Sequence, residues 1–275
     1  IEGATAAHIN WEKMQVRRRE VVEKLKKGLR FTTERAGVTI VEGRGTLKDP
    51  HTVLVAPSGQ TLTAEFIILA TGSHAVMPLG FVKSDRILTN KEILDLPALP
   101  RSLLIIGAGA VGVEFASLFA ALGTKVTLAE ASARILPNED AEISAELARI
   151  FTRKGIEIRT GVRITPAETA NFEYTLVATG RAPSMEDLGT EGAAPPPHIF
   201  KIGDLAGNAL LAYTAEREGE IAARTILGEP TEPINYGSVP NTIFSIPEVA
   251  SVGLSEDAAK KLNVKYITGK SLMSA

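Results

Sequence analysis

The sequence contains no cysteine and little aromatic character, since tryptophan, tyrosine and phenylalanine make up 5% of its 275 positions. The lack of cysteine excludes a disulfide framework, a thiolate metal site and a cysteine nucleophile from these residues. A strong charge of one sign is also missing, because 30 basic residues face 32 acidic ones and the net charge is -2. That balance gives no electrostatic reason to expect a nucleic acid or an anionic membrane as a partner.

A targeting leader and a membrane span are not expected either. The first residues show no basic stretch followed by an apolar one, so a cytoplasmic location is the default expectation. The apolar stretch at residues 102–123 is long enough to cross a bilayer, but it contains Glu114 and four glycines. A buried strand, a glycine turn and a buried helix explain this stretch better.

The first hundred residues predict one helix followed by a β-rich block. The basic helix is expected from Thr5 to Leu29, with Gly28 as its stop signal. Strands are expected at residues 38–41, 52–55, 60–63 and 66–70. Pro57-Ser58-Gly59 forms the predicted hairpin turn, and the apolar run at 66–70 is typical of a strand buried on both faces. Pro97-Ala98-Leu99-Pro100 indicates a linker.

Strands and helices alternate after this linker, which favours a parallel α/β sheet. The expected elements are strand 102–106, helix 111–122, strand 125–129, a helix opened by Asn138, strand 156–158, strand 176–178, strand 198–203 and helix 209–227. A short β-like tail follows from Asn235.

A glycine-rich turn stands between the first of these strands and the first of these helices. Gly107 permits a tight turn, Gly109 lets the backbone approach a pyrophosphate, and Gly112 lets the helix pack close to the strand. The helix start favours a negative phosphate. Glu130 ends the next strand and can accept hydrogen bonds from ribose hydroxyls, which favours NAD, although the nearby Arg134 keeps NADP open. A turn that serves packing alone is the other interpretation.

These residues resemble the flavoprotein pyridine nucleotide-disulfide oxidoreductase family. The NAD motif of that family is similar to the run from Ile105 to Glu130. Further signatures in the same order are Thr71-Gly72-Ser73, Ala178-Thr179-Gly180-Arg181, Ile202-Gly203-Asp204 and the interface-domain entry at residues 246–253. Within the family, the runs at residues 88–94 and 112–117 most resemble dihydrolipoamide dehydrogenase.

The resemblance implies an α/β fold with two Rossmann-like, doubly wound domains that bind FAD and NAD(P). The NAD domain is inserted in the FAD domain, and an α+β interface domain begins after them. The implied boundaries are residues 1–95 for the first part of the FAD domain, 96–180 for the NAD domain, 181–234 for the return of the FAD domain and 235–275 for the start of the interface domain.

The resemblance also implies FAD and NAD as cofactors and assigns their contacts. The FAD contacts are Gly45, Thr71, Gly72, Ser73, Asp204, Leu210, Leu211, Ala212 and Tyr213. The NAD contacts are Gly107, Ala108, Gly109, Ala110, Val111, Gly112, Val113, Glu114, Glu130, Ile164 and Gly180. Asp204 would accept a hydrogen bond from a flavin ribityl hydroxyl, and Glu114 would lie near the nicotinamide.

The implied activity is electron transfer between NAD(H) and a dithiol or disulfide, as in the conversion of dihydrolipoamide and NAD+ to lipoamide and NADH. A homodimer, a small or lipoyl-domain dithiol substrate and a 2-oxoacid dehydrogenase complex are the implied partners. Another flavin disulfide reductase, of the mercuric or glutathione type, is the alternative in the same fold. A non-catalytic dinucleotide-binding fragment is the alternative from a different class.

The sequence departs from the family pattern in three respects. The redox cysteine pair and the histidine–glutamate base have no counterpart here, so no catalytic residue is assigned, and no metal ligand either. Tyr213 stands where dihydrolipoamide dehydrogenases usually have a histidine. The stretches between Ile164 and Leu176 and between Leu188 and His198 are shorter than in the family. We therefore expect the 275 residues to join separate parts of a longer protein, and a truncated chain is the alternative.

Overall fold

The computed structural model describes residues 10–186, 188–189 and 196–271. Within these ranges the α-helices are α1 (Trp11–Arg35), α2 (Ala110–Ala121), α3 (Ala141–Arg153), α4 (Ala212–Ile226) and α5 (Glu256–Lys261). The strands are β1 (Arg44–Asp49), β2 (Thr52–Ala56), β3 (Gln60–Thr63), β4 (Ile67–Leu69), β5 (Ser73–Ala75), β6 (Ile87–Leu88), β7 (Ser102–Ile106), β8 (Lys125–Glu130), β9 (Glu157–Thr160), β10 (Tyr174–Val177), β11 (Arg181–Pro183), β12 (Ile199–Lys201), β13 (Asn241–Ile243) and β14 (Val249–Ser251).

The chain divides into two compact units. Unit 1 comprises the described residues of Ile1–Ala75, Lys91–Leu99 and Arg181–Ile234. Unit 2 comprises those of Val76–Asn90, Pro100–Gly180 and Asn235–Ala275.

Unit 2 is built on a five-stranded parallel sheet with the order β6-β10-β7-β8-β9. The central strand β7 carries Leu103, Leu104 and Ile105, whose side chains are fully buried. Such a continuous apolar run is expected of a parallel strand covered on both faces. The predicted alternation of strands and helices is confirmed here, and β7 has the predicted bounds.

The order of this sheet creates a crevice at one edge. From β7 the chain passes through α2 to β8 and through α3 to β9, all on one side, whereas β10 lies on the other side of β7. In open α/β sheets, ligands bind outside the carboxyl ends of the strands at such a change of direction. The carboxyl ends of β7 and β10 are therefore the expected position of a ligand site.

The helices of unit 2 cover the sheet with apolar side chains. Val113, Ala116 and Phe119 of α2 are buried, and Leu147 and Phe151 of α3 are buried as well. Asp140 is the N-cap residue of α3, so this helix begins slightly later than the predicted opening at Asn138. The predicted start was two residues too early because residues 136–139 form a separate turn, in which the N–H of Glu139 donates to Leu136 O at 3.0 Å.

The C-terminal part of unit 2 adds the antiparallel pair β13–β14 and the short helix α5. Polar side chains just before α3 hold this part in place. Asn241 Nδ2 donates to Glu139 Oε1 at 3.0 Å, and the backbone N–H of Glu256 donates to Asp140 Oδ1 at 2.8 Å. The β-like tail predicted from the sequence is confirmed.

Unit 1 contains three small sheets. The strands β1, β2 and β3 form an antiparallel meander, β12 pairs with β4 in parallel, and β11 pairs with β5 antiparallel. The hairpin predicted at Pro57-Ser58-Gly59 is confirmed. Residues 66–70 were expected to be buried on both faces, but Ile68 is 40% exposed while Ile67 and Leu69 are buried. Because only one face of this two-stranded sheet is covered within the unit, burial alternates along β4.

The helix α1 differs from its prediction at the C-terminal end. It passes Gly28 and continues to Arg35, so the expected stop at Gly28 is wrong. Arg30 pairs with Glu34 one turn later, and the chain leaves the helix only at Gly37, whose φ is +79°. Glycine in this left-handed conformation commonly follows the last helical turn. The predicted start at Thr5 lies outside the described residues, which show Asn10 as the N-cap.

The strand predicted at residues 38–41 is absent from the described structure, where this segment has no partner strand. Pairing of β1 with β2 begins at Arg44 and Ala56. Pro57 follows Ala56, and proline has no N–H group to extend the ladder. Val38, Ile40 and Val41 are therefore left partly exposed, with 53%, 36% and 37% of their surface accessible.

No described helix combines the length and the apolar character needed to cross a membrane.

Candidate functional site

The glycine turn predicted from the sequence lies at the crevice of unit 2, between β7 and α2. Gly107 has a φ of +100°, and a Cβ atom there would lie 2.4 Å from the carbonyl oxygen of Ala178. A Cβ at Gly112 would lie 1.9 Å from the carbonyl oxygen of Gly107. At Gly109, by contrast, a Cβ would meet nothing within 4 Å. Gly107 and Gly112 are thus required by packing, whereas Gly109 faces open space through which a ligand can approach.

Glu130 lies beside this turn at the end of β8. Its Oε2 accepts the backbone N–H of Ala108 at 2.7 Å, and its Oε1 accepts the backbone N–H of Ser132 at 2.8 Å. Burial is the largest single influence and raises the pKa of Glu130, but the hydrogen bonds from the N–H groups of Ala108, Ser132 and Ala131 and from the Ser132 hydroxyl together leave the pKa below its ordinary value. The side chain is therefore a carboxylate at neutral pH, fixed against the glycine turn.

The amides that remain for an anion are at the start of α2. The N–H of Gly107 donates to Ala129 O at 2.8 Å, and that of Ala108 is held by Glu130. The first N–H groups of a helix have no acceptor within the helix, and the helix dipole adds positive potential there. The expected position of a phosphate is consequently the first turn of α2, from Ala110 to Gly112, and not the whole glycine run.

The other residues expected to contact NAD are arranged around the same edge of the sheet. Gly180 has a φ of +131°, and no atom lies within 4 Å of a Cβ built there. Ile164 packs against the buried cluster that includes Leu104, Ile106 and Ala129. Val113 is fully buried inside α2, and its N–H donates to Gly109 O at 3.0 Å.

Glu114 makes a contact that the sequence did not reveal. Its Oε1 accepts the backbone N–H of Phe244 at 2.8 Å, and one turn later Ser117 Oγ accepts the N–H of Ile246 at 2.9 Å. These two bonds attach the segment after β13 to α2. The expected role of Glu114 near a nicotinamide stays a prediction.

Arg134 was the residue that left NADP as an alternative cofactor in the sequence analysis. In the structure its side chain is hydrogen-bonded to other residues of unit 2. Its Nη2 donates to Pro137 O and Glu139 O, both at 3.1 Å, and to Asp257 Oδ2 at 3.0 Å. Its Nε is buried without a hydrogen-bond partner among the described residues. A guanidinium held by three acceptors is poorly placed to bind a 2′-phosphate, so the geometry favours NAD.

Unit 1 brings together the Thr-Gly-Ser turn and Asp204, two parts of the expected FAD site. Ser73 Oγ donates to Asp204 Oδ2, and Thr71 Oγ1 donates to Ser184 O at 2.8 Å. Gly72, between them, has a φ of +73° and open space around its Cβ position. Arg181 joins this cluster by donating from Nε to Ser73 Oγ at 2.7 Å. Arg181 belongs to one of the family motifs in the sequence, but no contact was predicted for it.

The start of α4 lies next to the Asp204 turn. Leu211 is the N-cap residue, and a Cβ at Gly203 would lie 3.1 Å from the Cβ of Ala215. Leu210 and Tyr213 are 43% and 47% exposed, so the entrance to the helix is open within unit 1. Gly45, the remaining expected FAD contact, lies in β1 opposite Val55. An accessible helix start beside an ordered carboxylate suits a ligand with both anionic and hydroxyl groups.

Comparisons with known proteins identify the family. The sequence pattern of the family described as pyridine nucleotide-disulphide oxidoreductase matches residues 2–194. The chain belongs to this family. Membership implies FAD and NAD(H) as cofactors, and the open space at the Cβ positions of Gly72 in unit 1 and Gly109 in unit 2 is compatible with a ligand at each turn.

Curated relatives and solved structures in this oxidoreductase family agree on the fold. Dihydrolipoyl dehydrogenases from Bacillus subtilis (strain 168) and Chlamydia pneumoniae are 33% and 36% identical over 92% and 93% of this chain. The HOCl-induced flavoprotein disulfide reductase RclA from Escherichia coli superimposes with a TM-score of 0.83 at 25% identity, covering 92% of this chain and 66% of that protein. These matches confirm the predicted Rossmann-like α/β fold class. The chain spans 63% and 62% of the length of the two curated relatives.

Proposed function

We propose that the chain is the nucleotide-binding part of an FAD-dependent oxidoreductase that passes electrons between NAD(H) and a dithiol or disulfide. The proposed overall reaction converts dihydrolipoamide and NAD+ to lipoamide and NADH. The observation that carries the proposal is the ionised Glu130 fixed beside the Gly107–Gly112 turn at the carboxyl ends of β7 and β10. The dihydrolipoyl dehydrogenases among its relatives support the choice of reaction.

The proposed NAD site uses three features of unit 2. The first turn of α2 donates N–H groups to the diphosphate, and Gly109 leaves room for it. Glu130 accepts hydrogen bonds from the adenosine ribose hydroxyls and repels a 2′-phosphate. The Gly180 region at the end of β10 lines the other side of the crevice.

The proposed FAD site uses the cluster of unit 1. Asp204 accepts a hydrogen bond from a ribityl hydroxyl, while the turn Thr71-Gly72-Ser73 lets the cofactor approach the backbone. The start of α4, from Leu210 to Tyr213, supplies positive potential. Bound FAD and NAD(H) would supply hydride-transfer chemistry, and the chain would contribute binding, orientation and electrostatics.

The dithiol half of the reaction is proposed for the whole protein. Thiol–disulfide exchange needs a thiolate, and these 275 residues include no cysteine. A homodimer, a lipoyl-domain or small dithiol substrate, a 2-oxoacid dehydrogenase complex and the cytoplasm as compartment are part of the same proposal. The partners in this proposal rest on the family and on the relatives named dihydrolipoyl dehydrogenase.

A flavin-binding and reduction experiment tests the proposal. The purified chain is loaded with FAD, and anaerobic NADH is added while the visible flavin absorption is followed. We expect FAD to be retained and NADH to bleach the flavin band faster than NADPH does. Gly109→Val should abolish the binding of NADH and leave FAD content unchanged, because the added side chain fills only the open space of unit 2.

Three results would contradict the proposal in different ways. A colourless protein that binds NADH but never FAD would support a non-catalytic dinucleotide-binding role. Faster bleaching by NADPH would favour a reductase of the mercuric or glutathione type. Unchanged NADH affinity in Gly109→Val would show that the cofactor does not bind at this turn.

A further inference from the structure

Three side chains of unit 1 form a directed chain of hydrogen bonds that ends on Asp204. Arg181 Nε donates to Ser73 Oγ at 2.7 Å, and Ser73 Oγ in turn donates to Asp204 Oδ2. Arg181 Nη2 also donates to the backbone oxygen of Ser73 at 2.7 Å. We infer that Arg181 is a positioning residue, which acts through Ser73 to orient the Asp204 carboxylate for a hydroxyl group of the FAD ribityl chain. The inference rests on the function proposed above.

Strand pairing places Arg181 within reach of Ser73. In the antiparallel pair β5–β11, Arg181 lies opposite Ala75 and Pro183 lies opposite Ser73. Arg181 and Ser73 are therefore diagonal neighbours, a spacing that a long side chain can bridge. The position of the guanidinium is set by the backbone of a sheet and does not depend on a flexible loop.

The donor in the first bond decides the direction of the second. A serine hydroxyl has one proton and two lone pairs. Because Arg181 can only donate, it occupies a lone pair of Ser73 Oγ and leaves the proton for Asp204 Oδ2. That bond fixes the rotation of the carboxylate and directs its other oxygen, Oδ1, to a ligand hydroxyl. Without Arg181 the hydroxyl of Ser73 is free to turn and donate elsewhere.

Electrostatics and partial burial strengthen the arrangement. Arg181 Nε lies 4.0 Å from Asp204 Oδ2, and the two side chains are 29% and 27% exposed. Hydrogen bonds with a charged partner are shorter and stronger than neutral ones. Arg181 and Asp204, at the two ends of this chain of hydrogen bonds, carry opposite charges. The hydroxyl of Ser73 between them is therefore polarised in one direction.

The backbone next to Asp204 is held independently by α4. Glu218 is 8% exposed, and its Oε2 accepts the N–H of Gly203 while its Oε1 accepts Asn208 Nδ2 at 3.3 Å. Gly203 adopts a φ of +66° in this turn. Since the turn is fixed by Glu218, removal of Arg181 should disturb the side chain of Asp204 and leave its backbone in place.

The experiment measures the dissociation constant of FAD from apoprotein by the quenching of flavin fluorescence. Arg181→Met and Ser73→Ala should each weaken FAD binding by about tenfold or more, as expected for loss of a charge-assisted contact. The double variant should bind FAD no more weakly than the weaker-binding single variant, because both substitutions break the same chain of hydrogen bonds. Ser73→Thr keeps the hydroxyl and should restore binding.

The control is Arg217→Met on α4, which removes an exposed arginine paired with Glu220 in the same unit. It should bind FAD as the wild type does. NADH affinity of all variants, measured separately, should also stay unchanged, and the melting temperature of the apoproteins reports folding. Should Arg181→Met fail to fold, Ser73→Ala, which removes a single oxygen atom, decides the matter.

The outcomes separate this inference from the proposed function. If wild-type apoprotein takes up no FAD, the proposed function is wrong. If the wild type binds FAD and both Arg181→Met and Ser73→Ala bind it equally tightly, only the positioning role is wrong. Losses that add fully in the double variant would show that the two residues act separately, and would also overturn it.

Discussion

Glu130 Oε2 accepts the backbone N–H of Ala108 at 2.7 Å, so the acid at the end of β8 is bonded to the glycine turn after β7. The second oxygen is held by Ser132. The Ser132 hydroxyl and the Ala131 N–H also donate to this carboxylate, whose two oxygens offer about four acceptor positions in all. The acid is thus oriented by the protein before any cofactor arrives, which lowers the entropy lost on binding.

Replacing Glu130 by glutamine should weaken NADH binding and reduce the preference of the protein for NADH over NADPH. Glutamine has nearly the same shape but lacks the charge that strengthens ribose hydrogen bonds and repels a 2′-phosphate. We expect about a tenfold loss in NADH affinity by fluorescence titration, with little change for NADPH. Glu146→Gln on the exposed face of α3 is the matched control. If the ratio of the NADH and NADPH affinities did not change, Glu130 would not contact the ribose.

The same carboxylate should make stability depend on pH in a defined window. Because the folded-state pKa of Glu130 lies below the ordinary value of 4.5, its charge stabilises the fold fully above that value. The contribution is lost as the pH falls through the lowered pKa. The difference in urea midpoint between wild type and Glu130→Gln should therefore be constant near neutrality and shrink on acidification. A difference that grows in acid would contradict the assigned hydrogen bonds.

The sequence predicted the strand, turn and helix of the proposed NAD site better than the surrounding contacts, for a physical reason. The run from Ser102 to Glu130 combines local signals, namely an apolar strand, a glycine turn and a terminal acid, and the structure has the same elements. The strand expected at 38–41 failed because pairing depends on a distant partner, which ends at Ala56. Arg181, Ser73 and Asp204 lie far apart in sequence, so their hydrogen bonds could be found only after folding.

Contacts of Glu114 and Arg134 were missed for the same reason. Both side chains bond to residues of the C-terminal part of unit 2, at Phe244 and Asp257. A sequence shows that a charged side chain is present, but it does not show which distant residue that side chain contacts. From the sequence, only Glu130 favoured NAD over NADP. The structure adds a second argument, because the guanidinium of Arg134 is already hydrogen-bonded within unit 2.

The two packing glycines of the turn should be far less tolerant than the one between them. Gly112→Ala would bring a methyl group to 1.9 Å from Gly107 O, and Gly107→Ala would bring one to 2.4 Å from Ala178 O. Overpacking of this kind costs about 1–3 kcal/mol or more of unfolding free energy. Gly109→Ala, with open space and a φ of -74°, is the matched control and should cost less than either. Urea denaturation measures the free energy of unfolding of the three variants. If Gly109→Ala were the least stable, the turn would have another geometry.

Thr214→Val should stabilise the protein, which is unusual for a substitution in the first turn of α4. Thr214 is 2% exposed, and its hydroxyl oxygen has no hydrogen-bond partner among the described residues. A buried hydroxyl without a partner costs about 1–3 kcal/mol, and valine has almost the same shape without that group. We expect the free energy of unfolding to rise by about 1 kcal/mol in urea denaturation. Thr225→Val in the same helix is the control: its Oγ1 donates to Ile221 O at 2.8 Å, so it should bring no gain. If Thr214→Val were instead less stable than the wild type, the hydroxyl must be satisfied by a bound water or ligand, and an accompanying loss of FAD would identify the cofactor as that partner.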